Sequence, residues 1–191
     1  MPTWWRRRRT RTSPAHQPAA DQPPIAPLAR RPARPTAELE DAIGLWQVGK
    51  AVSEEIVDGA VTALVAGGDS PALRELAGVQ ARFAAMDAPP LVPAVVRELD
   101  LHPTDPELAL EHRTRDLLEH CAADPTVTPR EMVRRVDALL ERELWSGDVA
   151  SLRYANEEYG LLDEGILQLT EIELDAKVRT LAAALTADPA I

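Results

Sequence analysis

Aromatic residues make up only 4% of this chain, with one Phe and two Tyr. Any core must therefore be built from Leu, Val, Ala and Ile. Cysteine occurs once, at Cys121. Within one chain that excludes a disulfide framework or a cysteine zinc site, and it fits a reducing cytoplasm. Lysine is nearly missing, with Lys50 and Lys177 standing against many arginines, a bias in composition that carries no mechanism. No uncharged apolar run approaches the ~18 residues that a membrane helix needs. Residues 1–13, MPTWWRRRRTRTS, have arginines with no apolar run behind them, so neither a secretory nor a twin-arginine signal is expected. The phosphate-binding, dinucleotide, hydrolase-elbow and kinase signatures are all missing. Gly67-Gly68 is followed by Asp69 rather than Lys and reads as a helix stop. These absences point to a cytoplasmic protein and remove the commonest enzyme classes.

What the chain does have is segregated charge. Residues 1–35 hold eight arginines and one aspartate, a net of +7, whereas the remainder holds 13 basic and 30 acidic residues, a net of −17. Residues 14–35 include seven prolines. Such a composition buries too little to offset chain entropy, so residues 1–35 read as a disordered Arg/Pro-rich arm and linker. Within it, Trp4, Trp5, Arg6, Arg7, Arg8 and Arg9 suit an anionic surface, either a membrane or a nucleic acid, if they are more than a solvated tail. The acidic body repels nucleic acid, which binds by having its phosphates neutralised, and attracts a basic protein.

Residues 36–191 read as an acidic all-α domain of about six to eight helices. The first spans about Ala37 to Gln47, where Leu39, Ala42, Ile43 and Trp46 keep helical spacing. The organising stretch is Trp46 to Gly78. There Ser53 reads as an N-cap, and Ile56, Val57, Ala60, Val61, Leu64 and Val65 cover half a helix circumference. Gly67-Gly68 stops that helix, and Ser70-Pro71 starts a short one. A weak helix, Gln80 to Met86, is expected to break at Pro89-Pro90, with another from Pro93 to Leu101. Thr104 to Glu107 and Thr128 to Glu131 match the capping-box pattern and open helices to about Ala123 and Glu143. Residues 144–160 look least regular, and a last helix is expected from Leu161 to Leu185. No stretch alternates with period two for long enough to be a strand.

The segment GGDSPALRELAG, with Trp46 upstream, resembles small all-helical proteins of high-G+C bacteria that have no assigned function. The resemblance extends over about Leu39 to Leu185, although its specific part is a dozen residues. It implies a helical fold and no chemistry.

Few residues suggest chemistry. His112, Asp116 and His120 stand at i, i+4 and i+8, a row that aligns three metal ligands on a helix. The row points away from the Leu117/Cys121 face, so a solvated face is the expectation. Neither Glu-x-x-His nor His-Glu-x-x-His occurs, and no metal or cofactor is expected. Cys121 lies on the apolar face, and His120 beside it points ~100° away, so the thiol reads as a small hydrophobe. The densest acidic cluster is Glu157, Glu158, Asp163 and Glu164, accompanied by Trp145, Tyr154 and Tyr159. It reads as a solvated face, as a surface for a basic partner, or as an acidic pocket whose carboxylates do acid–base work if burial splits their pKa values. The leading expectation is a non-enzymatic protein that acts through protein contacts, comparable to an immunity protein or antitoxin that neutralises a basic partner. The alternatives are a membrane adaptor anchored by the arm, or an enzyme with its pocket near residues 145–164.

Overall fold

A computed structural model describes residues 25–140 and 148–188. Among them lie eight α-helices and a 3-10 turn, with no strand, so the chain is all-α as its periodicity predicts. The helices are α1 (Ala37–Gln47), α2 (Ser53–Val65), α3 (Pro71–Ala77), α4 (Ala84–Glu98), α5 (Pro106–Ala123), α6 (Pro129–Leu140), α7 (Asp148–Asp163) and α8 (Glu171–Thr186).

They form two packed groups that share α1. Leu39, Ala42 and Ile43 join Ile56, Ala60, Leu73 and Val95 of α2 to α4 in one core. Leu45 joins Leu118, Val133, Leu152 and Leu174 of α5 to α8 in the other. Trp46 packs against both. Each fully buried leucine contributes about 1.5–3 kcal/mol, so helices with few aromatics still build two cores.

The most enclosed helix is α1, not α2: every residue from Leu39 to Leu45 is buried. On α2, Val61 and Val65 face solvent, at 43% and 85% exposure. Two acids, Glu40 and Asp41, hide the burial of α1 from a hydrophobicity reading. Each is 1% exposed and each has a cationic partner, as a buried charge requires. Gly44 lets the 102–104 loop cross α1, since a Cβ there would stand 2.1 Å from the Thr104 carbonyl oxygen.

Several boundaries differ from the sequence reading. Ser53 is the first residue of α2 rather than its cap, and Val52 is the N-cap. The Glu55 carboxylate accepts from the Val52 N–H instead. The break at Pro89-Pro90 does not occur, because α4 runs through Pro89, Pro90 and Pro93. Its buried stripe, Ala84, Ala88, Val92 and Val95, bypasses the prolines. The carbonyls of Ala85 and Met86, which the first two prolines deprive of a donor, belong to exposed residues. At α5 the cap is Asp105, which accepts from Glu107 N–H at 3.0 Å, one position beyond the expected Thr104. At α6, Thr128 Oγ1 accepts from Glu131 N–H, but the Glu131 carboxylate turns to Arg134 and Arg135, so half of that capping box forms.

The largest difference is at the C-terminal end. The expected irregular stretch is helical from Asp148 as part of α7, and the helix expected from Leu161 to Leu185 is interrupted after Asp163, with α8 starting at Glu171. Residues 25–35, read as linker, carry no helix but lie against the body. Leu28 is 7% exposed within the second core, and its N–H donates to the Leu185 carbonyl at 2.8 Å. The reading of residues 1–24 falls outside the described residues.

Candidate partner-binding face

The turn between α7 and α8 is set by its sequence. Gly165, at φ +69°, takes the left-handed conformation that ends a helix cheaply. Its N–H donates to the Leu162 carbonyl and that of Ile166 to the Leu161 carbonyl, the hydrogen-bond pair of a Schellman motif, which brings Ile166 beside Leu161. Thr170 and Glu173 then form a complete capping box: Glu173 N–H donates to Thr170 Oγ1 at 3.3 Å, and Thr170 N–H donates to the Glu173 carboxylate at 2.8 Å. The backbone contact and the threonine hydroxyl both hold the Glu173 carboxyl below its usual pKa.

This geometry leaves large apolar side chains in solvent. Leu161 is 38% exposed, Ile166 62%, Leu169 39% and Ile172 82%. The segment that carries them, Glu157 to Asp175, contains seven acids and no basic residue. Four exposed apolar side chains thus lie at the end of α7, in the turn and at the start of α8, among acids of which Asp163 and Glu171 are paired with Arg130 and Glu158 with Lys177.

Of the residues the sequence singled out, Tyr154 is 62% exposed, and Glu157 and Glu164 are exposed. Others are committed internally. Tyr159 is 2% exposed, and its hydroxyl donates to Asp175 at 2.6 Å. Burial first, and then that hydrogen bond, push its phenol well above the usual tyrosine range. Arg130 of α6 lies over the Tyr159 ring at 4.8 Å and makes a two-pronged contact with Asp163 at 2.9 and 3.0 Å, which lowers the Asp163 pKa. Glu158 pairs with Lys177 at 2.6 Å. Tyr159, Asp163 and Glu158 are thus a clasp between α6, α7 and α8 rather than a free surface. Trp145 and the arm residues Trp4, Trp5, Arg6, Arg7, Arg8 and Arg9 lie outside the described residues.

The sequence does not single out Leu161, Ile166, Leu169 and Ile172, because a single helix read through 161–185 passes over the turn at Gly165. The signal was present: a glycine stop like Gly67-Gly68 stands at Gly165, and Thr-x-x-Glu at 170–173 repeats the capping pattern of 104–107 and 128–131.

The His112, Asp116, His120 row is solvated at Asp116 and His120 but not at His112, and its members do not converge. His112 is 3% exposed, and its Nδ1 meets the Asp41 carboxylate at 3.0 Å. A carboxylate only accepts, so Nδ1 carries the proton. Asp116 pairs with Arg31 at 2.7 Å. Burial raises the Asp116 pKa, and Arg31 opposes that shift. His120 is exposed. No group of three metal-ligating side chains occurs among the described residues.

These contacts form a charged seam where residues 28–34 cross α1 and α5. Arg31 Nε donates to Asp41 at 2.7 Å, Arg34 pairs with Glu40, and the His102 N–H donates to Glu40 at 3.3 Å. A concavity of about 340 Å³ opens beside the seam, lined by Arg31, Glu55, Arg113 and Asp116 among others. Four of its six charged side chains pair within it, Arg31 with Asp116 and Arg113 with Glu55, and Glu38 and Asp58 line it as well. Cys121 is 2% exposed and borders a cavity of about 360 Å³ lined by Leu118, Met132 and Ala182 together with Asp124, Arg179 and Thr186.

Comparison with known proteins returns no match: no family model, no curated protein and no solved structure aligns with the chain. Among the described residues no helix is long and apolar enough to cross a membrane.

Proposed function

We propose that this chain is a non-catalytic binding protein that engages a basic protein through the α7/α8 end. The carrying observation is the exposure of Leu161, Ile166, Leu169 and Ile172 within a segment of seven acids, of which Glu157 and Glu164 are exposed while Asp163 and Glu171 pair with Arg130 and Glu158 pairs with Lys177. Exposed apolar residues with a polar border are the anatomy of an interface, with the apolar centre supplying affinity and the charged rim steering. A lysine- or arginine-rich surface with an apolar knob is the complementary partner. Neutralisation of such a protein in the cytoplasm, as an immunity protein or antitoxin does, fits the size and charge.

The enzymatic alternative requires carboxylates gathered in a cleft with split pKa values. Here Glu157 and Glu164 are exposed, and Asp163 is held ionised by Arg130, the opposite of a general acid. The membrane-adaptor alternative rests on residues 1–13, and nothing in the described fold favours it.

The test is a pull-down from native extract with the full chain and with an Ile166→Ser/Ile172→Ser variant. A stoichiometric basic protein held by the wild type, released by salt and lost from the variant supports the reading. Equal capture by both refutes the assigned face.

A further inference from the structure

The cavity beside Cys121 exists because one face of α8 is small. Arg179, Ala182, Ala183 and Thr186 stand at i, i+3, i+4 and i+7 on that helix, and all four line the cavity. Leu118 and Cys121 of α5 and Met132 of α6 supply its other walls. Two methyl groups cannot fill the gap between three helices. The space left, about 360 Å³, is within the range of small-molecule sites. Leu118, Cys121 and Met132 are buried, whereas Arg179 and Ala183 are exposed. The floor is therefore apolar, and α8 stands at the mouth.

Asp124 and Arg179 give this cavity its charge, and they differ in what they already hold. One oxygen of Asp124 accepts from the Thr126 N–H at 2.9 Å and from the Thr126 hydroxyl at 2.7 Å, so that carboxylate is turned to its own loop. Most arginines of the body pair with a carboxylate, as Arg113 does with Glu55 and Arg153 with Asp137. Arg179 makes no ion pair or hydrogen bond among the described residues, although the body around it is strongly acidic. A guanidinium without a partner above an apolar floor recognises an anionic head that carries an apolar tail.

The other concavities lack this combination. Beside the charged seam, Arg31 and Arg113 are both paired. The groove beside Phe83 and Met86 has Glu75 and Asp87 on its walls and no cation.

We propose that the cavity between α5, α6 and α8 binds a medium-chain fatty carboxylate, with its head on Arg179 and its tail against Leu118, Cys121 and Met132. The site goes beyond the α7/α8 face and does not depend on the partner proposed for that face.

Isothermal titration of the full chain with octanoate tests the site. Saturable one-to-one binding is expected, weakening about fourfold for each methylene removed from the tail. Arg179→Gln should weaken it by about tenfold or more, through loss of a charge-assisted contact. Ala183→Leu places a larger side chain in the cavity from an exposed position and should abolish binding with the melting temperature kept. Octanoate should also slow alkylation of Cys121 by iodoacetamide, a clean reading because the chain has one cysteine. If Ala183→Leu fails to fold, Arg179→Gln and the protection of Cys121 decide. An absence of saturable binding overturns the site, as does binding unchanged in Arg179→Gln or in a folded Ala183→Leu. Octylamine binding more tightly than octanoate also overturns it, because Asp124 is then the recognising charge. Binding lost in Ile166→Ser/Ile172→Ser but kept in Ala183→Leu places octanoate on the exposed α7/α8 residues and overturns it as well.

Discussion

The Nη1 of Arg115 donates to the Leu28 carbonyl at 2.8 Å, across 87 positions of sequence. The guanidinium also reaches the carbonyls of Thr186 and Ala187 and the carboxylates of Glu119 and Asp188. All of its donors are used on a side chain 1% exposed. One arginine thus ties the 25–34 segment to the end of α8. Arg115→Ala should cost about 3 kcal/mol, because the carbonyls lose their donor in a buried site. For a chain of this size the melting temperature should fall by roughly 6–12 °C. Arg115→Lys should recover only part of the loss, since one ammonium cannot span the same acceptors. Calorimetry of the three proteins measures both effects.

His112 and Asp41 form the second long-range polar link. Breaking a buried pair from one side strands a charge, so Asp41→Ala should cost about 3 kcal/mol and His112→Ala about 2 kcal/mol. Arg31 also loses its Asp41 partner in the first variant, which is why it should be the worse. The double variant should cost less than the sum by more than about 1 kcal/mol. Urea titrations of the four proteins of the cycle give that coupling directly.

Alkaline stability should report Tyr159. Its phenol is held above the usual tyrosine value, so the folded chain retains the proton after the unfolded chain has lost it. This contribution is complete below the unfolded value of about 10 and declines as pH rises through the window above it. Tyr159→Phe should cost about 1 kcal/mol at pH 8 through the lost hydrogen bond to Asp175, and it should lose less further stability between about pH 10 and 11.5 than wild type does. Denaturant melts at the three pH values test this.

Two glycines should respond in opposite directions. A Cβ on Gly44 meets the Thr104 carbonyl oxygen at 2.1 Å, whereas one on Gly160 meets nothing within 4 Å. Gly44→Ala should therefore destabilise by about 1–3 kcal/mol through overpacking against backbone. Gly160→Ala, within α7, should stabilise by about 0.5–1 kcal/mol. Thermal melts of the two variants give the signs.

The helical class, α1 and the Ser70 cap of α3, whose Oγ accepts from Leu73 N–H at 3.1 Å, were legible because periodicity and capping act within a few residues. The continuity of α4 was not, since a proline's cost depends on whether the freed carbonyl faces water, which is a tertiary fact. The burial of Glu40, Asp41, His112 and Arg115 was hidden for the same reason: each is polar in sequence and is buried only because a distant partner compensates it. The acidic segment around Glu157 to Glu164 was visible. The exposure of Leu161, Ile166, Leu169 and Ile172 was not, because a helix continued through Gly165 hides the turn that carries them into solvent.

Hydrogen exchange on the complex captured from native extract locates the interface. Amides between Glu157 and Asp175 should gain protection on binding, and the gain should vanish with the Ile166→Ser/Ile172→Ser variant. Protection confined to other surfaces, such as the groove beside Phe83 and Met86, or the capture of no basic protein at all, would contradict the assignment of this face.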